Sequence, residues 1–238
     1  MNITNPGRRL LDILKYFKAN AKQSGRGSLA SYFSIDASSN EEVFAKVSKF
    51  YILIGDAERK IKSIDDPYRD KVLLCFVPLK KQFKSVNVDS SWQGQLNQIS
   101  ESDLGLLEIG ADLLDKHFKE NEIEKKQLDA LIIDVNQVDS EIINSDVDPK
   151  VKGVIIDLLE GIRVSVSDYK VSGVEGLKRI LAESFGRLSL DHEIVSVESE
   201  KESVKHFWDI LSKINTMISS ADLSYKLSSK TMDFLSGI

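Results

Sequence analysis

The chain has 238 residues, 42% hydrophobic and 29% charged, with a net charge of −5. This is enough apolar material for a core and enough charge for solubility, and the acidic balance excludes a chain-wide nucleic-acid coat. One cysteine, Cys75, rules out an internal disulfide, and no apolar run approaches the ~20 residues of a transmembrane segment, so a reducing, cytoplasmic setting is expected.

Charge is unevenly spread. Residues 1–35 carry Arg8, Arg9, Lys15, Lys18, Lys22 and Arg26 against Asp12 alone, a surplus of five that leaves −10 for the remainder. Asn5-Pro6, an N-cap followed by proline at the first helical position, opens a helix to about Gln23. Leu10, Ile13, Leu14, Phe17 and Ala21 share one face; Arg8, Lys15, Lys18 and Lys22 share the other. The basic face has four readings: the outer side of a bundle helix, contact with nucleic acid or an anionic membrane surface, contact with an acidic protein or the chain's own acidic remainder, or a cleaved transit peptide. SGRGS then reads as a flexible linker, and residues 28–33 as a short helix or packed loop.

Ser39 and Glu42 form a capping box for a helix from Asn40 to about Ser63, with Val43, Phe44, Val47, Phe50, Tyr51, Ile54, Ala57 and Ile61 as its apolar stripe. Asp66-Pro67 starts another helix, which Pro78 kinks or ends at Val77. Residues 85–90 read as a loop, followed by a short helix around Trp92–Ile99 capped by Ser90 or Ser91. A helix from Leu104 to Phe118, started by Ser100 or Ser102, is weakened by Gly105 and Gly110. Leu128, Leu131, Ile132, Val135, Val138 and Ile142 repeat by threes and fours over a helix from Ile123 to Ile143.

Val147–Leu190 reads as a helical hairpin. Asp148-Pro149 opens its first helix, a Ser172/Glu175 capping box opens the second, and Gly186 is expected to stop it. VSVSDYKV alternates like a strand, but the longer helical pattern prevails; LSLDHEIVSVE reads as a linker. The last region, Val197 to Leu235, spaces Val204, Phe207, Leu211, Ile214, Ile218, Ala221, Tyr225, Ser228, Met232 and Leu235 by threes and fours. Two readings follow. Either two helices break at Ser219–Ser220 with the stripe buried in the monomer, or one long helix pairs with another chain through Phe207, Leu211, Ile214 and Ile218 as an oligomer seam.

Chemistry-bearing constellations are scarce. His117, His192 and His206 fall in separate segments without metal-ligand spacing. Asn144, Asp146 and Asp148 lack the glycine and glutamate of a calcium loop. Asp134, Asp139 and Glu141 read as a solvated helix face, and phosphate-loop, dinucleotide, CxxC and nucleophile-elbow motifs are missing. Cys75, within VLLCFV, reads as a buried, inert thiol.

The expectation is an all-α protein, an antiparallel multi-helix bundle of about seven to nine helices in a single domain 1–238. A weak boundary is placed near 85–102, and region 197–235 packs on the bundle or mediates assembly. No catalytic residue, cofactor or metal ligand is assigned. The leading function is a non-catalytic helical protein–protein interaction or assembly module, with a protein partner or self-association. The alternative is an accessory protein, for example of a bacterial defence or toxin–immunity system, whose basic N-terminal helix contacts nucleic acid or an anionic membrane surface through Arg8, Lys15, Lys18 and Lys22.

Overall fold

The computed structural model describes residues 3–118, 120–190, 197–199, 201–222 and 225. The protein is all-α: apart from the two-residue extended segments Ile3–Thr4 and Glu120–Asn121, the described residues are helices and turns. The chain divides into two compact units. The first takes residues 3–119 and 170–172; the second takes 120–169 and 173–238, with 1–2. Residues 85–102, the expected weak boundary, lie inside the first unit, where Trp92, Leu96 and Ile99 are buried in the core.

Three long helices carry the first unit: α1 (Pro6–Ala19), α3 (Asn40–Lys62) and α7 (Glu101–His117). Shorter helices fill the gaps between them: α2 (Gly25–Phe33), α4 (Arg69–Leu73), α5 (Phe76–Phe83) and α6 (Gln93–Asn97). Asn5 caps α1 as expected, accepting from the Arg8 N–H at 3.0 Å. Ser100 caps α7 through a reciprocal box with Asp103, at 3.1 and 2.8 Å. Ser39 caps α3, but the Glu42 carboxylate accepts from the Asp36 N–H at 3.0 Å.

Two local expectations need correction. SGRGS is not a flexible linker: Ser24 accepts from the Gly27 N–H at 3.1 Å and starts α2, while the Gly25 N–H donates to the Ser90 carbonyl at 2.9 Å. A Cβ on Gly25 would overlap the buried Trp92 ring, so this glycine serves close approach rather than freedom. Near Pro78 the chain breaks upstream, at Leu74–Cys75, so the proline falls in the first turn of α5, where its missing N–H leaves no helical bond unmade. Gly110, which weakens α7 by propensity, sits where a Cβ would come within 2.7 Å of Val72 and 2.8 Å of Ile61.

The second unit is an antiparallel four-helix bundle of α8 (Lys125–Asn144), α9 (Pro149–Ser167), α11 (Val174–Leu190) and α12 (Glu202–Ala221). Each packs against two of the others in the ring order α8, α9, α11, α12. Asp148 caps α9, accepting from the Lys150 N–H at 2.8 Å. The short α10 (Tyr169–Ser172) and Gly173, with φ of 58°, connect α9 to α11. The Glu120 carboxylate, buried and far away in sequence, accepts from the Val174 N–H at 3.2 Å at the start of α11. Gly186 does not stop α11; it lies on the exposed face, and the helix continues because the next turn buries Leu188. Ser219 and Ser220 do not break α12 either, and the Ser220 hydroxyl donates back to the Thr216 carbonyl at 2.7 Å. Residues 188–190 of the expected 188–198 linker belong to α11, while 191–196, and Ser228, Met232 and Leu235 of the expected seam, lie outside the described residues.

Gly25→Ala is expected to destabilise the protein by about 1–3 kcal/mol through overlap with Trp92. Gly186→Ala, on an open helical face, should stabilise it by about 0.5–1 kcal/mol. Urea midpoints for the two variants moving in opposite directions check both assignments.

Candidate functional site

The basic face of α1 lies along an acidic stripe of α7. Arg8 pairs with Asp112 and Asp115, the latter at 2.8 Å, and Asp115 holds the guanidinium above its ordinary value. Lys15 meets Glu108 at 3.5 Å. The Lys18 ammonium reaches Glu101 at 2.7 Å and the Ile99 carbonyl at 2.9 Å. Partner numbers fall as α1 numbers rise, the register of two antiparallel helices. Of the four residues expected to contact an anion or partner, three therefore meet carboxylates of the same unit. Lys22 is exposed, and no ion pair is seen for it among the described residues.

The expected oligomer seam is internal. Phe207, Leu211, Ile214 and Ile218 are fully buried in the core of the second unit, so the α12 stripe is filled by the bundle's own helices rather than offered to another chain. What remains open beside α12 is a groove against α8. One part, of 200 Å³, is lined by Asp134, Gln137, His206, Asp209 and Lys213; a second, of 520 Å³, by Lys126, Ala130, Ser212, Thr216 and Met217. His206 Nδ1 lies 2.6 Å from Glu141, which raises the imidazole above its usual value, with Glu202 and Asp209 adding to the effect. The same contact lowers the Glu141 carboxyl. Lys213 pairs with Asp134 at 2.5 Å. These charges are paired across the groove, and no group of three His, Cys, Asp or Glu side chains among the described residues could hold a metal. Cys75 is buried, and that burial pushes its thiol up to about 12, which leaves it protonated and unreactive at neutral pH.

Helix α3 carries a different kind of surface. Its buried face uses Val43, Phe50, Leu53, Ile54, Ala57 and Ile61. Phe44 and Tyr51, expected in that stripe, face outward at 54% and 40% exposure, with Ile52 beside them at 49%. Leu53 takes the core position that the sequence reading gave to its neighbours. A helical stripe cannot wrap more than part of the circumference: once residues 43, 50, 54, 57 and 61 set the inner face, 44, 51 and 52 turn away. Ala45 and Ser48 are exposed on the same outer face, and Gly55 is half-buried there. Signal for this surface was present as apolar residues beyond one stripe's width, but the notion of a single wide stripe absorbed it. Three large side chains are thus gathered on one exposed helix face.

Comparison of the chain with protein-family models, curated proteins and solved structures returned no match.

Two outcomes are expected here. Arg8→Gln, Lys15→Gln and Lys18→Gln together should lower the unfolding free energy read from urea melts by about 1–2 kcal/mol, with Lys22→Gln near neutral, because only the first three meet α7 carboxylates. Separately, the His206–Glu141 pair makes stability depend on pH. His206 is raised when folded, so its contribution is full below its ordinary value of about 6.5 and is lost as pH rises through the raised folded value. Thermal midpoints should therefore fall across that window, and His206→Gln should flatten the slope.

Proposed function

We propose that the chain is a non-catalytic helical protein–protein interaction or assembly module. One observation supports the reading: Phe44, Tyr51 and Ile52 lie open on one face of a long helix whose other face is fixed in a core. A solvated helix ordinarily keeps charged residues on such a face, and exposed aromatic and aliphatic groups supply the desolvation that drives association. The α8–α12 groove argues less well for a ligand, since its polar side chains pair with one another. Contact with nucleic acid or an anionic membrane through α1 has less to draw on, because Arg8, Lys15 and Lys18 meet carboxylates of α7.

The test is a photo-activated cross-linking side chain at position 52 in the native cell, with one at the exposed Lys125 as control. A discrete protein adduct at 52 and none at 125 is the expected result. Absence of any adduct at 52 overturns the reading.

A further inference from the structure

We infer that the exposed face of α3 pairs with the same face of a second copy, the two helices running antiparallel about a twofold axis. The inference rests on the proposal that this face is an interaction surface, and adds its occupant.

Glu41, Ala45, Ser48, Ile52, Gly55 and Arg59 follow one another at intervals of four, three, four, three and four. This is the period of a helix-pairing seam, and it reads the same in both directions about position 50. A twofold axis there sets Glu41 against Arg59, Ala45 against Gly55, and Ser48 against Ile52, each pair occurring twice. Glu41 and Arg59 stand five turns apart, about 27 Å along the axis, and so lie on one side of the helix.

Charge and volume then agree with that register. The first turn of α3 is acidic, with Glu41 and Glu42; the last is basic, with Arg59, Lys60 and Lys62. Antiparallel pairing brings the acidic end of one copy to the basic end of the other, whereas parallel pairing would set like charges together. Along the middle, each larger group meets a smaller one. Ile52 opposes Ser48, Phe44 comes next to Gly55, and Tyr51 next to Ser48. A face that is self-complementary in charge and size fits an isologous contact, in which each residue meets its symmetry partner's counterpart. Within the monomer Arg59 is held by Asp56 one turn away, and its side chain remains largely exposed, so the pair can open toward a second acidic group.

The experiment measures solution mass by light scattering over a concentration series at low salt. The native chain should be a dimer. Glu41→Arg sets arginine against arginine, and Arg59→Glu sets glutamate against glutamate. Each variant alone should weaken self-association about tenfold, or about 1.4 kcal/mol over the two symmetry-related contacts. Mixed in equal amounts, the two variants restore opposite charges at both contacts and should recover native affinity as a heterodimer. That recovery also shows that both variants are folded. A native chain that stays monomeric at high concentration overturns the inference, as does a dimer insensitive to the single changes or a mixture that fails to recover. If the position-52 cross-link joins a different protein while the chain is monomeric, the interaction reading stands and the second-copy inference falls.

Discussion

Helix α1 approaches α7 closely at Gly7, where the lack of a side chain lets the two backbones come together. A Cβ on Gly7 would sit 3.1 Å from the Ala111 Cα, tighter than packed atoms ordinarily tolerate. With the backbones this close, the Asn5 side chain spans the contact. It accepts from the Arg8 N–H and donates to the Ala111 carbonyl at 3.0 Å and to Asp115 at 2.5 Å. The same approach brings Arg8, Lys15 and Lys18 within reach of their carboxylates, and presses Leu10, Ile13, Leu14 and Phe17 into the core. The short helices α2 and α6 then close over α1.

The all-α class was legible because helix grammar is local. Asn5, Ser39, Ser100 and Asp148 each cap the helix that follows them, since a cap needs only a side-chain oxygen and the N–H two or three residues on. What the chain's own order hid was tertiary. SGRGS looks mobile until Trp92 is placed beside Gly25. Gly186 looks like a stop until Leu188 is seen to be buried beyond it. The Glu120 contact with Val174 joins residues with no shared local pattern.

Functional residues were less legible for the same reason. A cationic helix face looks identical in sequence whether it awaits an anion or already lies against acids, and Arg8, Lys15 and Lys18 each meet carboxylates of α7. A three-four stripe looks identical whether it seams a dimer or fills a core, and four helices packed in a ring bury Phe207, Leu211, Ile214 and Ile218. The α3 face was present as Phe44 and Tyr51, but only the position of Leu53 in the core shows which way the helix is turned.

The buried Arg9 side chain has a consequence for the order of events in folding. Its Nε donates to the carbonyl of Val171 at 3.0 Å, across a sequence separation of 162, and residues 170–172 belong to the same unit as α1. On a ribosome, α1 to α7 emerge long before this acceptor exists. Until residue 171 is made, the guanidinium lacks that carbonyl, and a buried donor deprived of its acceptor costs about 1–3 kcal/mol. By then α8 and α9 have also been synthesised, so the first unit reaches its final form only after part of the second has been made. It is still completed before the second unit, whose helices α11 and α12 follow residue 172, but not before α8 and α9 are made.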